Sequence, residues 1–135
     1  MKLKFILSPS LSIDLLVFVR VFIGILIIKH GFILFDAEAM AQSAGFFENI
    51  HIPLPTLMAY VAKSTEFFGG IFLALGLFTH ITAAILVFNM LVALGTAFGF
   101  NIFEGEIAFL FLLLFIVFAV VGGGKYSLDY FILKK

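Results

Sequence analysis

Residues 57–78 read LMAYVAKSTEFFGGIFLALGLF, residues 79–80 are Thr79-His80, and residues 81–100 read ITAAILVFNMLVALGTAFGF. This stretch decides the fold class. Each apolar run has about the 20 residues that a helix needs to cross a hydrocarbon core roughly 30 Å thick. Only Thr79-His80 joins them, so the two helices must double back as antiparallel neighbours. They must be helices because lipid offers no partner for an open backbone N–H or C=O. Further out lie two more apolar runs, at about 11–35 and about 107–121; the last is short, but Glu106 and Gly122-Gly123-Gly124 bound it. The expectation is an all-α membrane protein: a single domain, 1–135, folded as a four-transmembrane-helix bundle.

Composition agrees. Apolar residues make up 64% of the chain and charged residues 12%, against roughly 45–50% and about 25% in soluble domains. Twenty phenylalanines and a mean hydropathy of +1.27 are more than an interior this small can hide, so the lipid bilayer is the expected partner. Formal net charge is zero and no basic run or stacking array occurs; nothing points to a nucleic-acid partner. Cysteine is absent, which excludes disulfides, thiolate metal sites and thiol relays built from this chain alone. Lys2 and Lys4 precede Phe5-Ile6-Leu7, but that run stops at Ser8-Pro9-Ser10 with no small-residue cleavage site behind it. The first helix is therefore expected to stay rather than be removed as a signal peptide.

Between the first two helices lies a longer segment, 36–56. Its Met40, Ser43, Ala44 and Phe47 fall at helical spacing before Pro53 and Pro55, as in a short helix lying in the outer interface. Orientation follows from lysine placement. Lys2, Lys4, Lys125, Lys134 and Lys135 flank one side of an even-numbered bundle, while the opposite loops carry Asp36, Glu38, Glu48, Glu104 and Glu106 and no lysine or arginine. The positive-inside rule then puts both termini in the cytoplasm.

Ionisable residues inside a span cost several kcal/mol and are functional candidates by default. Arg20, Lys63 and Glu66 are the ones of interest, with Asn89 at a comparable depth on helix three. Small residues share their faces: Gly24 and Gly31 with Arg20, Ala59, Gly70 and Ala74 with Lys63 and Glu66, Ala93 with Asn89. Small residues let membrane helices approach closely, so an Arg20–Glu66–Asn89 polar layer inside the bundle is expected. Arg20 with Glu66 reads either as a buried pair that fixes register or as a site that binds a polar head group or moves protons. Lys63, one turn from Glu66, either neutralises it or shares the site. Lys29 points the other way and is expected to snorkel to head groups. The last helix has almost no small or polar residue and is expected to be the most lipid-exposed.

His30, His51 and His80 show no metal spacing, and no metal site is expected. Glu104 and Glu106 sit beside an outer-facing helix start, where acidic residues favour the positive end of the helix dipole. No nucleophile–base pairing or phosphate loop stands out, and no residue is assigned a catalytic role.

Gly122-Gly123-Gly124-Lys125-Tyr126-Ser127-Leu128-Asp129 resembles the closing signature of the DoxX family: a Gly-rich turn, a basic residue, then Tyr-Ser-Leu-Asp. Arg20 with Gly24, His30-Gly31, Glu66-Phe67-Phe68-Gly69-Gly70, Leu75-Gly76-Leu77-Phe78-Thr79 and Glu106 resemble family patterns in order, over roughly 15–129. The chain departs at Asn49-Ile50-His51-Ile52-Pro53, where the family often has a glycine before its loop prolines. The resemblance implies a four-helix, multi-pass protein of the inner (plasma) membrane. It also implies a link to quinone-linked oxidoreductases or oxidative-stress assemblies, with a quinone as the cofactor class and a redox-enzyme subunit as partner. Physically, Gly124 and its neighbours end helix four, Lys125 suits the negative helix end, Tyr126 anchors at the interface, and Asp129, after Ser127, either bonds Lys125 or caps a neighbouring helix.

The reading that follows is a membrane subunit or binding module that holds a quinone or aromatic molecule at the polar layer, with Arg20 on a ligand oxygen and Glu66 orienting Arg20 or exchanging a proton. Two alternatives belong to other classes: a small-molecule or proton-coupled transport component using the same layer, and a scaffold that docks a soluble enzyme on the Lys125–Asp129 edge. A bundle of this size can also form a homo-oligomer, although no single interface announces itself.

Overall fold

The computed structural model describes residues 15–124 and 126–133. Residues 11–14 and Lys2, Lys4, Lys125, Lys134 and Lys135, on which the retained N-terminal helix and the orientation partly rest, lie outside the described residues. Those described form helices and turns, with no strand among them. In order they are α1 (Leu15–Gly31), a 3-10 turn (Phe32–Phe35), α2 (Ala37–Asn49), α3 (Pro55–Leu75), α4 (Thr79–Phe98), α5 (Glu106–Val121) and α6 (Leu128–Leu133).

Local chemistry explains the boundaries. Asp36 caps α2 by accepting from the N–H groups of Glu38 at 3.0 Å and Ala39 at 3.2 Å, the usual work of an N-cap carboxylate. Pro55 opens α3 at a position where its missing N–H costs nothing. The helix closes on Gly76, whose φ of 71° suits a residue without Cβ. There Leu77 N–H donates to Phe72 O at 2.8 Å and Gly76 N–H to Leu73 O at 3.1 Å, a Schellman closure. Asn101 turns the chain between α4 and α5, its Oδ1 accepting from the N–H of Phe103 at 3.0 Å.

α1 packs chiefly on α3 and α5 on α4, while α3 against α4 joins the two pairs and α2 lies on α3. The α1–α3 approach is a small-residue contact: a Cβ added at Gly24 would stand 2.8 Å from both Ala74 Cβ and Gly70 O. The core between the pairs holds Ile23, Ile27, Leu73, Ala83, Leu86, Phe115 and Phe118. The last long helix is not merely a lipid-facing one. Phe111, Leu112, Phe115 and Phe118 form a stripe at helical spacing that is buried, because aromatic bulk fills a seam that small residues would leave open.

Two helical segments are long and apolar enough to cross a membrane, Leu15–Phe35 and Thr79–Phe98, and Glu106–Val121 is a shorter apolar helix. α3 is as long but carries Lys63-Ser64-Thr65-Glu66 in its middle. The outward faces are largely apolar: Phe18, Phe22, Ile81, Phe88, Ile107 and Val120 all stand exposed.

Candidate functional site

Three of the four expected polar residues meet. Glu66 is buried at 7% exposure. Its Oε2 accepts from Lys63 Nζ at 3.1 Å and its Oε1 from Asn89 Nδ2 at 3.3 Å. Lys63 reaches it because residues three apart share a helix face. Asn89 arrives from α4, the antiparallel neighbour that the tight 76–79 turn places beside α3. The carboxylate thus has an ammonium and an amide as donors.

Arg20 is not in this layer, contrary to the expectation. It is 2% exposed and its guanidinium is taken up by backbone carbonyls at the other end of the bundle. Nη1 donates to Gly123 O, and Nη2 to Tyr126 O at 3.0 Å and to Ala74 O at 3.5 Å. Two physical causes separate it from Glu66. A long side chain on a helix leans toward the helix N-terminus. The α1–α3 register also sets Gly24 against Gly70 and Ala74, so Arg20 lies beside Ala74, eight residues or about 12 Å along α3 from Glu66.

Arg20 therefore belongs to a clasp built from the closing motif. Asp129 Oδ1 accepts from Phe78 N–H at 2.6 Å and Oδ2 from Thr79 N–H at 2.8 Å. It caps α4 from fifty residues away, where Phe78 supplies no side-chain cap. Of the two roles expected for Asp129, capping a neighbouring helix is the one realised. Its own N–H donates to Gly76 O at 3.0 Å. Ser127 Oγ donates to Gly124 O at 2.6 Å and accepts from Tyr130 N–H at 3.2 Å. His80 Nδ1 lies 2.7 Å from Ala119 O, so the proton sits on that nitrogen. Burial opposes ionisation of Asp129, but the N–H groups of Thr79 and Phe78 and the nearby His80 outweigh it and hold its carboxyl below the usual range. Lys125, the basic member of the motif, lies outside the described residues.

Two cavities adjoin Glu66. The first, about 420 Å³, is lined by Ile27, His30, Met90, Phe111, Glu104 and Glu106 among others, and opens at the 101–106 loop. The second, about 390 Å³, lies beneath α2 against Phe47, Ala62, Lys63 and Asn89. Both are lined by Glu66 and Ala93, and each is large enough for a ring-sized ligand. Glu104 and Glu106, expected as outer-side acidic residues, thus stand at the mouth of the first cavity. His30 was not singled out by sequence reasoning for this site. The signal was its place three residues after Ile27, on the stripe Ile23–Ile27–His30; its ring meets Phe111 edge-on at 5.6 Å. Among the described residues no group of three or more His, Asp or Glu side chains is placed to hold a metal.

The family profile that matches is DoxX, over residues 15–101. A Bacillus subtilis protein named "Putative oxidoreductase CatD" is 33% identical over 117 residues, 85% of this chain and 84% of that protein. An uncharacterized protein of Haemophilus influenzae is 35% identical over 128 residues, covering 89% and 92% of the two chains. No solved structure gives a significant match.

Proposed function

The chain belongs to the DoxX family, and from that premise we propose that it is an inner-membrane binding subunit of a quinone-linked redox or oxidative-stress system. In this reading α1, α3, α4 and α5 cross the membrane, α2 lies in the outer interface, and both termini face the cytoplasm. The exposed apolar faces of α1, α4 and α5 call for lipid as solvent. α3 turns its Lys63–Glu66 pair toward α4 and two cavities rather than toward lipid, as intramembrane charges generally do.

The observation that carries the binding role is a buried carboxylate between two mostly apolar, ring-sized cavities. Such a site suits an apolar ring that carries hydrogen-bonding oxygens. A quinone fits that donor set: Asn89 and Lys63 offer N–H groups to ring oxygens, and Glu66 can hold or release a proton beside them. When bound, a quinone supplies two-electron, two-proton chemistry; this chain's residues bind it and orient it. The oxidoreductase name of the Bacillus subtilis relative supports the redox setting. The chain has no cysteine, so thiol–disulfide chemistry would belong to a partner.

Native mass spectrometry on protein purified gently from its own membrane tests this, comparing wild type with Glu66→Gln. The reading expects a bound quinone or aromatic molecule that the variant loses. An empty bundle in both samples, or a ligand retained equally by both, overturns it.

A further inference from the structure

The walls of the Glu66 site differ at its two ends. Toward the 101–106 loop, the first cavity runs from Glu66 past His30 and Met90 to Glu104 and Glu106. Toward the closing motif, Leu73, Ala83, Leu86, Phe115 and Phe118 are each at most 1% exposed. On α3 alone that plug spans from Glu66 to Leu73, seven residues or about 10 Å. Beyond it the Arg20 clasp ties Ala74, Gly123 and Tyr126 together. The groove at the clasp end, lined by residues such as His80, Gly122 and Asp129, shares no lining residue with either cavity at Glu66.

We propose that Glu66 is served from the acidic-loop face alone, through a wetted vestibule between His30, Glu104 and Glu106 that favours cations. Protons and water-borne ligands reach it from that face, and nothing passes to the closing-motif end. The charged and titratable groups around Glu66 support this. Lys63 comes from α3, His30 from α1, and Glu104 and Glu106 from the loop and α5, while α4 gives Asn89 and α2 only uncharged Gln42 and Ser43. Two carboxylates at the mouth raise the local concentration of cations and lower that of anions. The inference deepens the binding reading and rests on its four-span topology. It makes the bundle a one-sided receptacle rather than a conduit.

The absence of cysteine makes single-cysteine labelling the direct test. Ala93, which lines both cavities, is changed to Cys, with Ala108→Cys in the first cavity as a second reporter. Phe103→Cys at the acidic end and Tyr130→Cys at the clasp end mark the two faces; both side chains are exposed. Sealed right-side-out and inverted membrane vesicles receive membrane-impermeant methanethiosulfonates, one cationic and one anionic. Ala93→Cys and Ala108→Cys are expected to react only from the face where Phe103→Cys reacts. The cationic reagent, normalised to its rate with free cysteine, should be favoured roughly tenfold over the anionic one, and Glu104→Gln with Glu106→Gln should abolish that preference. Reaction from both faces, or only from the Tyr130→Cys face, overturns the proposal, as does no reaction from either. If Phe103→Cys and Tyr130→Cys react from the same face, the four-span reading itself fails, and that result is distinct from the others.

Discussion

Replacing Arg20 by Ala should open the clasp and leave the Glu66 site unchanged. Arg20 donates charge-assisted bonds to Gly123 O and to Tyr126 O, the latter at 3.0 Å, and a marginal one to Ala74 O at 3.5 Å. Hydrogen bonds to charged groups contribute about 1.5–3 kcal/mol each, so two give a gross loss of about 3–6 kcal/mol. The loss is offset in part because Arg20 no longer has to be desolvated and because carbonyls at the end of the bundle can take water. A net local cost of about 2–3 kcal/mol raises the open population of the clasp by roughly 30- to 150-fold. Amide hydrogen exchange reads that population directly. The N–H groups of Asp129, Tyr130 and Phe131, bonded to Gly76 O, Ser127 Oγ and Ser127 O, should exchange faster by that factor. Amides in the middle of α3 and ligand retention at Glu66 should be unchanged. Unaltered exchange at 129–131 would refute the clasp. Loss of ligand with an intact clasp would return Arg20 to the Glu66 layer and refute the separation argued from register.

Asp129→Asn should lower the thermal midpoint at neutral pH, because the neutral amide keeps one acceptor oxygen where the carboxylate takes two N–H groups, a loss of about 1 kcal/mol. The wild-type carboxyl lies below its usual range, so its contribution is fully present above a pH of about 4, the unfolded value, and is lost as pH falls through the lower folded value. Melts in detergent from pH 7 to 3 should therefore converge for the two proteins at the acid end, and parallel curves would contradict the assignment. A Cβ at Gly24 would meet Ala74 Cβ and Gly70 O at 2.8 Å, whereas one at Gly45 has nothing within 4 Å. Gly24→Ala should destabilise by about 1–3 kcal/mol and Gly45→Ala by nothing or less; equal melting temperatures for the pair would count against the close α1–α3 approach. Lys63→Met leaves Glu66 buried without its cation, at a cost of about 3–5 kcal/mol. Lys63→Met with Glu66→Gln should recover most of it, and a double variant no more stable than the single one would show that the pair is not coupled.

Much of this was legible along the chain. The apolar runs and the tight link expected at Thr79-His80 imply helices, their order and the antiparallel α3–α4 pair; the turn itself lies at 76–78, and Thr79 already opens α4. The start at Glu106 was anticipated from the chain, whereas the α-helical end at Gly31 and the start at Pro55 differ from the runs 11–35 and 57–78 expected from hydropathy. The Lys63–Glu66 pair was equally readable, since residues three apart on a helix must be neighbours, and Asn89 follows from the tight turn that fixes α3 against α4. What the chain could not reveal is the register between helices joined by long segments. Apolar faces slide past one another with little change in hydrophobic energy, and close fits such as Gly24 against Gly70 and Ala74 and Gly31 against Phe67 select one position. That position sends Arg20 to the closing motif rather than to Glu66. Asp129 capping α4 across fifty residues is likewise invisible to spacing, because a cap from another element leaves no local pattern. So, too, are the two cavities that meet at Glu66, which are the space left over once packing is complete. Helices, their order and the nearest-neighbour polar pairs are written along the chain, because they depend on period and loop length. Which polar groups form a clasp and which face a cavity emerges on packing, because it depends on how closely backbones can approach.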